Sequence, residues 1–309
     1  MMIYTVTLNP ALDRAIEVQA LRTDDANRIE SEKSYAGGKG IDGSRVIQVL
    51  GGQSIALGFI GGFNGMELEQ RLLRQRVLCD FVHTRGDTRT NILIYVRSTG
   101  SYTTLNAKGP EVNEVEIKEL LDKIQALNDV SYMIISGSIP GGVSVDIYRK
   151  IIEIARGKGA FVALDADGEV LRQGIEGGPT IIKPNMHELG RLLDREITDV
   201  EGALAGANEL KKKEIDIILV SMGAKGALMV SDSARLIAVP PQVKVGSTVG
   251  AGDSLLAAFI LGHFQGRRLS ECLKFGVAAG AASSMTPGTE LCKREDVEAL
   301  MPKVVVKEV

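Results

Sequence analysis

Tryptophan is absent from the 309 residues, and aromatic side chains make up only 4% of them. A surface that stacks bases needs aromatic platforms, so single-stranded nucleic acid is a poor partner. No sign of charge dominates either. Thirty-six Lys and Arg stand against 39 Asp and Glu, for a net charge of −3, which gives no footing on a phosphate backbone or an anionic membrane. The three cysteines, Cys79, Cys272 and Cys292, are far apart with no CxxC. That pattern argues against a disulfide framework or a zinc site and for a reducing compartment. His83, His187 and His263 are equally scattered, which disfavours a histidine-centred metal site or a Ser-His-Asp mechanism. No apolar run is long enough to span a bilayer. The opening "MMIYTVTLNPALDRAI" lacks a basic leader and is broken by Asn9, Pro10, Asp13 and Arg14, so it reads as a first strand, not a signal peptide. The expectation is a cytoplasmic protein whose partners are small or phosphorylated metabolites, with no nucleic acid and no membrane.

What is present is an ordinary globular composition, 44% hydrophobic and 24% charged, with enough apolar material for a sizeable core. Short runs rich in Ile, Val and Leu recur: "YMIISGS" (132–138), "AFVALDA" (160–166), "TIIKPN" (180–185) and "IDIILVS" (215–221). Amphipathic segments such as "SVDIYRKIIEIAR" and "VEGALAGANELKKK" separate them. Strand and helix in alternation predict an α/β fold with a mostly parallel sheet covered by helices on both faces. From Gly252 to about Ala282 two apolar helices dominate. Residues 14–35 and about 88–108 break the rhythm as half-exposed strands, the second containing a hairpin that turns at Ser98 to Gly100. No linker or repeat divides the chain, so it reads as one domain, 1–309, with a small sheet projecting from it.

Four stretches carry polar residues where strands or helices end. In "GSTVGAGDSLLAAFILGHF", Asp253 follows Gly250, Ala251 and Gly252 at the start of a long helix. A helix start offers unpaired N–H groups and positive potential to an anion. The alternative is an ordinary Asp N-cap. "YAGGKGIDGSRVIQVLGG" holds a formal GxGxxG at Gly38, Gly40 and Gly43. No buried strand precedes it, as a dinucleotide site requires, and Lys39 is not followed by Ser or Thr as in a P-loop. It remains a glycine-rich loop with a lysine, fit for a polar ligand or for a plain turn. "TLNPALD" places Asp13 where the first strand runs out, suited to sugar hydroxyls or to a turn. "KPNMHEL" sets Asn185 and Glu188 three apart at a helix start, where they face Mg²⁺ through water or cap the helix.

Taken in order, these stretches resemble the ribokinase-like (PfkB) carbohydrate kinases over nearly the whole chain. "TLNPALD … GGKG … SRVIQVLG" is similar to the family's N-terminal signature and "STVGAGDSLLAA" to its C-terminal one. "TRTN", "SGSIPGG", "KPNMHEL" and "SMGAKGA" fall between them in the family's order. The phosphosugar branch, with 1-phosphofructokinase, tagatose-6-phosphate kinase and the minor bacterial 6-phosphofructokinase, is most alike. The resemblance implies a three-layer sandwich with a β-lid and an ATP- and Mg²⁺-dependent kinase that converts a ketohexose phosphate to its bisphosphate. Asp253 would be the general base, and Gly250, Ala251 and Gly252 would form the anion hole with it. Asp13, Gly37, Gly38, Lys39 and Asp42 would meet the sugar, and Arg28, Arg89 and Ser138 its phosphate. Lys183, Asn185, Ser221, Gly223, Gly226 and Thr248 would lie along the nucleotide, with Asn185 and Glu188 ordering Mg²⁺ through water. The lid would pair with that of a second subunit in a homodimer, and a monovalent cation is left open.

Two departures bear on the substrate. Asp42-Gly43 stands where most relatives have Asn-Val, and a carboxylate accepts hydrogen bonds but cannot donate them. "DADGEVL" (165–171) lacks the small hydroxyl residues usual after its first Asp. These keep two other readings in play: a kinase of an unphosphorylated sugar or nucleoside, and a weakly catalytic sugar-phosphate-binding regulator on the same fold.

Overall fold

Successive apolar residues along the central strands point to opposite faces, and the structure shows what each set packs against. The computed structural model describes residues 1–309. The first third runs β1 (Met2–Thr7), β2 (Ala11–Val18), β3 (Ile29–Gly37), α1 (Lys39–Val49), β4 (Ser54–Ile60), α2 (Gly62–Arg74), β5 (Leu78–Cys79), β6 (Val82–His83), β7 (Arg89–Val96) and β8 (Ser101–Leu105). The middle holds α3 (Glu114–Ala126), β9 (Val130–Ser136), α4 (Ile147–Gly157), β10 (Phe161–Asp165), α5 (Gly168–Ile175), β11 (Ile181–Ile182), α6 (Met186–Leu192), α7 (Val200–Lys211) and β12 (Ile217–Ser221). The last part is β13 (Ala227–Ser231), β14 (Arg235–Val239), α8 (Ala251–Phe264), α9 (Leu269–Ser284), α10 (Arg294–Leu300) and β15 (Val305–Glu308).

The large sheet has the order β15-β14-β13-β12-β11-β10-β9-β1-β4-β5, with β6 also on β4. Its strands are parallel from β12 to β5, and only β13, β14 and β15 run antiparallel. On β9 and β10, Met133, Ile135, Val162 and Leu164 join the core under α3, α4, α5, α6 and α7. Their neighbours Ile134 and Ala163 join the opposite core under α1, α8, α9 and α10. The two cores hold 37 and 33 buried residues, so neither face is left to solvent. That explains the unbroken apolar runs: strands buried on both faces have no polar side to alternate. In α8 every residue from Ser254 to Gly262 is buried, as expected of a helix apolar all round. The result is the predicted α/β three-layer sandwich.

A second sheet, ordered β3-β2-β7-β8, stands apart from the first. It arises from the two segments that broke the alternation. β2 and β3 form a hairpin, β7 and β8 form another, and the two join through the parallel pair β2–β7. Val18, Ile94 and Val96 make its small core, while all of β8 is exposed. The carboxyl ends of β1, β9, β10 and β11 open towards this sheet, so the candidate residues fall at that edge.

Candidate active site

A cleft of about 610 Å³ lies between that edge and the small sheet. Its lining includes Asp13, Gly38, Lys39, Asp42, Arg89, Ser138, Glu188 and Asp253, candidates drawn from six separate stretches of sequence. Thr7, Asn9, Arg89 and Thr289 also line it, and each has a buried polar atom without a hydrogen-bond partner. Such atoms cost about 1–3 kcal/mol apiece unless a ligand or water satisfies them. Their gathering in one cleft marks a binding site.

α8 enters the cleft by its N-terminus. Gly250 is the N-cap at φ 76°, a left-handed conformation that glycine adopts without strain, and no side chain caps the helix. Asp253 sits in the first turn and makes no capping bond, so the plain-cap alternative is not what the chain builds. Burial and the nearby charge of Asp165 push the Asp253 carboxyl up to about 6, with Lys39 and Lys183 pulling the other way. A carboxylate so placed takes up a proton near neutral pH, while the open N–H groups beside it favour an anion.

α1 opens in a similar manner, with Gly38 as an uncapped N-cap and Lys39 as its first residue. Lys39 was expected at the sugar, but its Nζ donates to Asp165 Oδ1 at 2.9 Å and lies 3.8 Å from Glu188 Oε1. Lys183 Nζ stands 3.1 Å from the other Asp165 oxygen. Burial alone would raise the Asp165 pKa, yet the two lysines overcome it and hold the carboxyl below its ordinary range. Burial also opposes the charge on Lys39, and Asp165, Asp253 and Glu188 more than restore it. The first Asp of "DADGEVL" is therefore the counter-ion of two lysines, on the cleft floor.

On the small-sheet side, Asp13 Oδ1 accepts from Asn91 Nδ2 at 2.9 Å. Its other oxygen occupies the space where a side chain at residue 37 would begin, 2.1 Å from an ideal Cβ, so Gly37 acts by making room for Asp13. Burial raises the Asp13 pKa, moderated by Asn91 and Arg89. Arg89 donates to the carbonyls of Ala107 and Asn9 at 2.8 and 2.9 Å. Asn9 Nδ2 reaches Ser138 Oγ at 3.3 Å. Asp42 pairs with Arg45, Oδ1 to Nη1, at 2.8 Å, and both are buried.

Asn185 and Glu188 cap α6 reciprocally: Asn185 Oδ1 accepts from Glu188 N, and Glu188 Oε2 from Asn185 N, each at 2.8 Å. The capping alternative is thus realised, which leaves Glu188 Oε1 turned to Lys39 and the cleft. Asn185 also bridges Ser221 beside it at the sheet edge. Gly223 opens a short turn closed by Gly226 between β12 and β13, and Thr248 is exposed on the loop before α8. Lys183, Asn185, Ser221, Gly223, Gly226 and Thr248 do not line the 610 Å³ cleft. Arg28 does not line it either; it is exposed beside β3.

A model of the pfkB family carbohydrate kinases matches residues 6–296. The chain belongs to this family. It is 36% identical to 1-phosphofructokinase of Bacillus subtilis over 305 residues, 99% of each chain. It is 31% identical to tagatose-6-phosphate kinase of Staphylococcus epidermidis over the full length of both. Among solved structures, phosphofructokinase-2 from Escherichia coli in complex with potassium superposes with a TM-score of 0.93 at 32% identity, covering 98% of each chain. An Arabidopsis thaliana ribokinase complexed with ribose and ATP superposes with a TM-score of 0.80 over 97% of this chain and 98% of that one. At 20% identity it speaks for the ribokinase-like fold alone. Within this pfkB chain the site holds partners that motif reading did not name. Arg45 is one, and its pairing with Asp42 at i,i+3 on a helix was a readable signal. Asn91 stood within "TRTN" with no role given to it, and the counter-ion role of Asp165 left no local trace.

Proposed function

We propose that the protein transfers the γ-phosphoryl group of ATP to a hydroxyl of a ketohexose phosphate, giving the bisphosphate. The observation that carries this is Asp253, a carboxylate with its pKa near 6 beside the uncapped N-terminus of α8. Its relatives named as phosphosugar kinases support the same reading. In that reaction the acceptor oxygen bonds to the γ-phosphorus, the bond to the ADP oxygen breaks, and the acceptor proton passes to Asp253. The N–H groups of Gly250 to Asp253 face the charge on the transferring group, a field already oriented before reaction. Lys39, held by Asp165, adds a fixed positive charge on the cleft floor.

Asp13 holds a sugar hydroxyl, while Arg89, whose Nε has no partner, and Ser138 receive the substrate's phosphate. The nucleotide lies over Lys183, Asn185, Ser221, Gly223, Gly226 and Thr248. No cluster of three or more His, Cys, Asp or Glu side chains is disposed to hold a bare ion. One free oxygen on Glu188 and a cap-bound Asn185 suit Mg²⁺ held through water and arriving with nucleotide phosphates. Bound there, Mg²⁺ supplies charge neutralisation to the phosphates. A monovalent cation belongs to the same proposal, and so does a homodimer through the lid. The small sheet leaves Leu21, Ile29, Tyr102 and Leu105 exposed beside Arg28, which a second copy would cover. No helix is long and apolar enough to cross a membrane.

An ADP-release assay with Mg-ATP tests the reading against fructose 6-phosphate, fructose 1-phosphate, tagatose 6-phosphate, the free sugars and several nucleosides. Turnover on one ketohexose phosphate, with kcat/KM at least tenfold above any free sugar, is the expected result. Preference for a free sugar or nucleoside would overturn it.

A further inference from the structure

Three hydrogen bonds run in one line beneath the open end of α8. Ser254, the residue after Asp253, and Ser283, near the end of α9, are both fully buried. Ser254 Oγ donates to the carbonyl of Gly250 at 2.8 Å, since a carbonyl can only accept. A hydroxyl has one hydrogen, so Ser283 Oγ is the donor in its 2.6 Å contact with Ser254 Oγ. Ser283 Oγ accepts in turn from the backbone N–H of Cys292 at 2.9 Å. The polarity of the chain is therefore forced, from Cys292 through two hydroxyls to Gly250. Hydrogen bonds linked in this way polarise and strengthen one another.

Gly250 is where that chain meets the cleft. Its carbonyl also accepts from Ser254 N at 2.9 Å, so both lone pairs are engaged. A planar trans peptide sets the N–H of Ala251 opposite that carbonyl, so holding the oxygen fixes the first amide of α8. That amide reaches Thr248 O only at 3.4 Å, and those of Gly252 and Asp253 have no acceptor in the chain. Packing removes the remaining freedom. Leu291, beside Cys292, fills the space a side chain at 250 would need, 2.6 Å from an ideal Cβ. Gly276 and Gly280 bring α9 against the backbone of α8. Cβ atoms there would stand 2.7 Å from the Leu255 carbonyl oxygen and 2.9 Å from that of Ala251. Rolling or sliding α8 would break the buried chain or drive one backbone into the other.

We infer that Ser254 and Ser283 are positioning residues for phosphoryl transfer, which keep the amides of Gly250 to Asp253 aimed at the transferring group without touching it. This rests on the kinase reading above and deepens it. Their contribution is largest in the transition state, where charge develops opposite those amides, and small for the rest of the nucleotide.

The experiment compares wild type with Ser254→Ala, Ser283→Ala and the double variant. Calorimetry reads Mg-ADP binding beside the preferred ketohexose phosphate, with and without aluminium fluoride as a stand-in for the transferring phosphoryl group. Each alanine variant should bind Mg-ADP as wild type does, which certifies the fold. Its kcat, and the affinity added by aluminium fluoride, should each fall by about tenfold, the size of one hydrogen bond felt in the transition state. The double variant should be little worse than either single one, because the two hydroxyls act as one chain. If an alanine variant loses Mg-ADP binding, Ser254→Cys, similar in volume and a weaker donor, carries the same comparison. Unchanged kcat, equal loss of affinity with and without aluminium fluoride, or additive losses in the double variant would overturn the inference alone. Silence of wild type on every ketohexose phosphate would instead overturn the kinase reading, and this inference with it.

Discussion

α3 and α8 begin in opposite ways. Ahead of α3, Asn113 accepts from the N–H groups of Val115 and Glu116, and Glu116 returns a bond to Asn113 N, a complete capping box. Ahead of α8, Gly250 offers no side chain, and the acidic residue in the first turn leaves the cap unmade. A capped start has its first donors met within the chain. An uncapped start facing a cleft leaves donors for something that is not part of the chain. α1 is of the second kind and α6 of the first, although both stand at the same cleft. The difference points to helix starts that are both uncapped and turned to a cleft, since α2 and α4 also begin without a side-chain cap and do not enter this one.

The contrast can be broken hardest at Asp253. Asp253→Asn should lower kcat by about 100- to 10,000-fold, the usual worth of a positioned base, while the Kd for ATP moves little. Equal turnover of the variant would make α8 just another helix start. Next in size is pH. Asp253 must be ionised to accept a proton, so kcat/KM should level off above about pH 7 and fall about tenfold per unit below pH 6. The same raised pKa means that ionisation is disfavoured in the folded protein. Stability contributed by the protonated form is therefore lost as pH rises through about 6, and Asp253→Asn should remove that loss. A pH–rate profile flat from 5 to 8 would contradict the assignment. The smallest effect is at the capped start. Asn113→Ala should cost about 1 kcal/mol of stability in denaturant unfolding and leave kcat unchanged.

Much of this was readable in one dimension. The parallel sheet followed from apolar runs without alternation, because strands buried on both faces have no reason to alternate. The glycine-rich turn before an apolar helix drew attention to Asp253 and Gly250, but that window alone suited an ordinary N-cap, and the base role came from the resemblance. Lys39 lines the cleft as expected of a candidate, but its partner Asp165 lies 126 residues away, and nothing local to "GGKG" specifies it. Asn185 and Glu188 show the converse, since their spacing predicted both a cap and a ligand pair and only the cap is visible in the geometry. Arg28 was placed by analogy with the family, and the fold leaves it on the outer surface.

The lid is made of two hairpins, each local in sequence, joined by a parallel pair that sets Asp13 opposite Asn91, 78 residues on. Neither hairpin has more than a few apolar residues to bury, so neither is stable alone. Their docking closes a long loop whose entropy is offset only after β4 and α2, which lie between them, have packed onto the main sheet. The lid therefore belongs to the last step of folding and, by the same reasoning, to the first step of local unfolding. Its amides should exchange with solvent sooner than those of β1 or β9, which makes the small-sheet wall of the cleft more easily loosened than the doubly covered main sheet opposite it.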